Sequence, residues 1–134
     1  MDLTVTCAAP VAFALNSIDN KPGTAADNKT FGLGLTAANE KIGAFSPRIM
    51  SVEADGVTAW AIDSIDDGTS WVRAPYVLPN RLTSTTTVGG QLPIAVQNLS
   101  VNALANVWIS PSNNLTLTDE VAFDGSATFE MKYL

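Results

Sequence analysis

Ser126-Ala127-Thr128-Phe129-Glu130-Met131-Lys132-Tyr133-Leu134 is the stretch on which the fold turns. Phe129, Met131 and Tyr133 alternate with Thr128, Glu130 and Lys132. A period of two places the large apolar residues on one face of a strand and the polar ones on the other. The strand runs to the last residue, so the expected sheet has an edge there to cover.

Working outward, the same period recurs along the chain. Leu3, Val5 and Cys7 alternate with Thr4 and Thr6; Val11, Phe13 and Leu15 with Ala12 and Ala14; Phe31, Leu33 and Leu35 with Gly32 and Gly34. Further strand runs are expected at Ile49 to Val52, Val57 to Ile62, Leu82 to Val88, Leu99 to Ile109 and Leu115 to Leu117. Turn chemistry separates them: Asp19-Asn20-Lys21-Pro22-Gly23, Asp55-Gly56, Asp66-Asp67-Gly68, Gly89-Gly90, Pro111-Ser112-Asn113-Asn114 and Asp124-Gly125. Only Thr36 to Ile42 has helical leanings, and it is short. Short strands with regular punctuation predict an all-β, antiparallel sandwich or barrel, with residues 1–134 as one domain.

The composition excludes much. The 134 residues carry 7 Lys+Arg against 13 Asp+Glu, a net charge of −6, and the basic residues are scattered, which argues against nucleic acid and anionic membrane surfaces. No run approaches the roughly 18 apolar residues of a membrane span, so no membrane insertion is expected. With no His, Ser-His-Asp and Cys-His nucleophile systems and the HExxH zinc site are absent. Glu40, Glu53, Glu120 and Glu130 show no spacing that reads as a glycosidase pair. No enzyme and no cofactor are expected.

The two ends carry a resemblance. The closing Ala127 to Leu134, an alternating strand with a penultimate tyrosine, resembles the end motif of bacterial chaperone–usher pilus subunits. Leu3-Thr4-Val5-Thr6-Cys7, followed by Val11 to Ile18, is similar to the pilin second strand and its successor. Over nearly the whole chain the closer resemblance is to the fimbrial-like domain of unknown function 1120. It is carried by that opening, the Asp19-Asn20-Lys21 turn, Leu117-Thr118-Asp119-Glu120 and Asp124-Gly125-Ser126-Ala127-Thr128.

The resemblance implies an immunoglobulin-like sandwich, incomplete at its terminal edge and completed by a strand from another protein. The partners it implies are a periplasmic chaperone and then neighbouring pilus subunits, after export to the periplasm, fimbrium or surface of a Gram-negative bacterium. Phe129, Met131 and Tyr133 would line the groove beside the missing strand, and the Leu134 carboxylate would meet the chaperone. Family members also carry an export signal, a donor segment and a first strand with a cysteine. The resemblance therefore implies that this sequence is a piece of a longer protein. Two such pieces could form a homo-oligomer by swapping strands.

Cys7 reads as a small buried apolar residue, or, by the resemblance, as the remnant of a disulfide. Trp71, Arg73 and Tyr76 lie around Pro75 in an expected loop and are candidates for an exposed ligand surface. The alternative function is accordingly a carbohydrate-binding, lectin-like adhesin at a fimbrial tip. Trp60 and Trp108 stand in apolar runs and are expected in the core. Asp63, Asp66 and Asp67 read as a solvated turn rather than a calcium loop, since the EF-hand spacing is not met; no metal site is expected.

Overall fold

The computed structural model describes residues 1–111 and 125–134. The expected strand Leu115 to Leu117, Glu120 and the Leu117-Thr118-Asp119-Glu120 motif lie outside the described residues. The described chain is all-β: β1 (Asp2–Val11), β2 (Phe13–Asp19), β3 (Phe31–Gly32), β4 (Gly43–Ala54), β5 (Val57–Ser64), β6 (Val72–Arg73), β7 (Leu82–Thr87), β8 (Val96–Ile109) and β9 (Ala127–Tyr133). Among the described residues no helix is long and apolar enough to cross a membrane. Thr36 to Ile42 forms a hairpin tip instead of a helical turn. Leu35 bridges Lys41 there, and the Thr36 N–H donates to the Glu40 carbonyl at 2.9 Å.

The strands follow the order β1-β8-β4-β5-β7-β2-β9, with β3 added beside β4 and β6 beside β5. Every step along that path is antiparallel, so β1 and β9, at its two ends, run in the same direction. The sheet folds over at two places into a nearly closed, barrel-like sandwich. At the first, Asp55 and Gly56, both at positive φ (51° and 78°), turn β4 into β5, the geometry of a two-residue hairpin loop. At the second, Ala12 carries the chain from β1, paired with β8, to β2, paired with β7 and β9.

Two apolar clusters fill the interior. Phe13, Leu15, Val52, Val96 and Leu99 lead the first, against which Leu3, Val5, Cys7 and Phe129 pack from the edge strands. Phe31, Leu33, Ile42, Phe45 and Val77 form the second, with the Phe31 and Phe45 rings stacked at 5.2 Å. β7 is rich in Ser and Thr yet central, and two of its buried hydroxyls find carbonyls. Ser84 donates to Phe13 O at 2.6 Å and Thr85 to Trp60 O at 3.0 Å.

A candidate strand-acceptor groove and an aromatic depression

Among the described residues β1 and β9 each pair on one side only, with β8 and β2 respectively. They converge at one end, where the Leu134 N–H donates to Ala12 O at 3.0 Å. Met1 pairs with Ala103 through two hydrogen bonds of 2.8 Å, and β8 continues beyond it, residues 104–109 pairing with β4. Inside the sandwich, reached by both edges, lies a cavity of about 200 Å³, lined by Leu3 of β1, Phe13 and Leu15 of β2, Val101 of β8 and Phe129 of β9. An adjoining depression shares Met1, Pro47 and Phe129 with it and adds Phe45, Val107 and Ala127. The two are mainly apolar and meet at Met1, Pro47 and Phe129, and together they are termed the groove.

Of the expected groove residues, Phe129 is half-buried and lines both parts of it. Met131 and Tyr133 sit opposite Leu15 and Phe13 in register, on the same face of β9 as Phe129. They are nevertheless exposed, 40% and 68%, as is Leu134 at 49%. Met131 borders a separate depression with Asn16, Asp67 and Lys132. Thr128, Glu130 and Lys132 are exposed, and Lys132 pairs with Asp67. Cys7 is half-buried on β1, a free thiol against the first core cluster.

The expected ligand surface is divided. Arg73 and Tyr76 line an open depression of about 440 Å³, whereas Trp71 lies over the turn at Gly68, outside it. In place of Trp71 the depression holds Trp108, which is 53% exposed rather than in the core. The end of β8 is open on both faces: Leu104, Val107, Trp108 and Ile109 are all about half exposed, although Val107 stands opposite Phe45 and Trp108 opposite Ala44. Leu99 to Ile109 is apolar on both faces near its end, so alternation could not sort Trp108. Trp60 is half-buried, with the Arg73 guanidinium 3.7 Å above its ring.

The acidic run also separates. Asp63 is buried and accepts from Arg81 at 3.1 Å. Asp66 accepts from the Ser64 and Ser70 hydroxyls and the Ser70 amide, bonds that hold its carboxyl down at about 2. Asp67 turns to Lys132. Among the described residues no three His, Cys, Asp or Glu side chains come together to hold a metal.

Comparison of the chain with models of protein families, with curated proteins and with solved structures finds no match in any of the three.

Proposed function

We propose that this chain is a structural, fimbrial-like subunit that accepts a strand from another polypeptide between β1 and β9, without chemistry of its own. The observation that carries this reading is the apolar cavity beside two edges that have no neighbour among the described residues, lined by Leu3 of one and Phe129 of the other. An open sheet edge offers unpaired N–H and C=O groups, and alternate side chains of an added strand would fill the groove. The exposure of Met131 and Tyr133 on the face that Phe129 shares fits a strand whose neighbour is supplied from outside. In the fimbrial reading the first donor is a periplasmic chaperone and the second a neighbouring subunit, at the bacterial surface. The groove also admits a second copy that covers the same edges by exchange.

The test is the solution mass of the chain by light scattering, alone and with a synthetic peptide of alternating apolar residues. A dimer or aggregate that becomes a one-to-one complex with the peptide supports the proposal. A stable monomer that ignores the peptide, with β1 and β9 amides already protected from hydrogen exchange, overturns it.

A further inference from the structure

Packed interiors hold few voids larger than a water molecule, so the cavity of about 200 Å³ inside the sandwich calls for an occupant. Besides the apolar residues already placed on it, Ile49, Val52, Val77 and Leu99 form its wall. The polar side chains that reach it are few and mostly engaged. Ser84 and Thr85 direct their hydroxyls to the Phe13 and Trp60 carbonyls, and the exposed Asp2 carboxylate accepts from Asn102 at 2.7 Å. On this lining Thr83 Oγ1 alone is buried without a hydrogen-bond partner among the described residues.

That chemistry decides between occupants. A buried water needs two to four polar partners, and one hydroxyl does not supply them. A charged or polyhydroxylated ligand would lose its hydration with nothing to replace it. Left empty, the wall forfeits the dispersion contacts that its atoms would otherwise make. An apolar cavity of about 150 Å³ admits benzene. One of about 200 Å³ therefore suits a ring that carries one or two small alkyl groups. The adjoining depression, lined by the exposed Val107 and sharing Phe129 with the cavity, provides the approach.

We infer that this cavity is a binding site for a compact neutral hydrocarbon, an alkylbenzene or a molecule of its size and polarity. The site belongs to the chain without an added strand. It does not rest on strand acceptance, which the peptide experiment tests by itself: a chain that takes up the peptide but no hydrocarbon overturns this inference and leaves that reading intact.

The experiment titrates the full chain with toluene and follows the Leu, Val and Ile methyl groups by NMR. Saturable shifts are expected at Leu15, Val52 and Val101 on the lining, with Leu92 and Leu104, 69% and 54% exposed, unmoved. Triisopropylbenzene, which is more apolar but too bulky for the cavity, should leave the lining methyls unshifted. Ala103→Leu, which fills part of the cavity, should weaken toluene about tenfold. Val101→Phe repeats the occlusion should Ala103→Leu perturb the fold. In a folded chain, the absence of saturable shifts, equal shifts at Leu92 and Leu104, or toluene binding that both substitutions leave unchanged overturns the inference.

Discussion

Asp63 and Arg81 form a charge pair whose partners are unequally buried, with 3% and 25% of the two side chains exposed. Removing the arginine leaves a carboxylate without its counter-ion in the interior, which costs about 3 kcal/mol or more. Arg81→Met should therefore lower the urea midpoint clearly, while Asp63→Asn, which leaves the cation near solvent, should lower it less. Asp66 provides the pH counterpart. Its carboxyl is held at about 2 against an ordinary 3.8 by the Ser70 and Ser64 bonds, so its contribution is full above about 3.8 and is lost as pH falls towards 2. Asp66→Asn is expected to flatten the acid unfolding curve in that window; an unchanged curve would remove this role from Asp66. Roles of this kind were only partly legible in the sequence. The acidic run was recognisable as a turn, but nothing in its spacing distinguishes Asp63, drawn inward to Arg81, from Asp66, bound to its own loop.

Among the elements, the strands with strict alternation were the readable ones. β1 and β9 lie where their period placed them, whereas Val11, read together with Phe13 and Leu15, belongs to β1, and β2 is buried on both faces through Ala14. β4 was harder to read because segments on either side cover it: Phe45 belongs to the second core cluster, while Ala44 and Ser46 on its opposite face are buried as well. Its expected run, Ile49 to Val52, extends in the structure over Gly43–Ala54. Turn chemistry was legible where a backbone angle demanded it. Asp55 does more than turn the chain, since its carboxylate also accepts from the Asn98 amide at 2.7 Å and so ties the hairpin to the start of β8. Asp55→Ala should lose that bond and the tolerance of positive φ together, destabilising by about 1–2 kcal/mol in a thermal melt. Gly32 is constrained differently. A Cβ there would meet the Lys21 carbonyl at 2.6 Å, so Gly32→Ala should displace the turn that begins at Asp19 and lower the melting temperature.

For the molecule as a whole, the groove reads as a balance between stability and receptivity. Ala103 lines the cavity, and filling part of it from within should raise the stability of the free chain. Ala103→Leu is expected to add about 1 kcal/mol and at the same time to reduce uptake of an alternating-apolar peptide. Gains in both would count against the groove as the receiving site. The sequence pointed to an uncovered edge through its last strand, but it could not show where that edge would lie relative to the first. That relation depends on how many strands separate them.

The count has a consequence of its own. Among the described residues seven strands lie on the path from β1 to β9, and in an antiparallel cylinder an odd number cannot close, because the two that meet at the seam point the same way. The obstacle is one of parity rather than of side-chain fit, and no repacking of Phe129 or Leu3 removes it. One more strand, running opposite to both borders, makes the number even and gives every ladder the same sense.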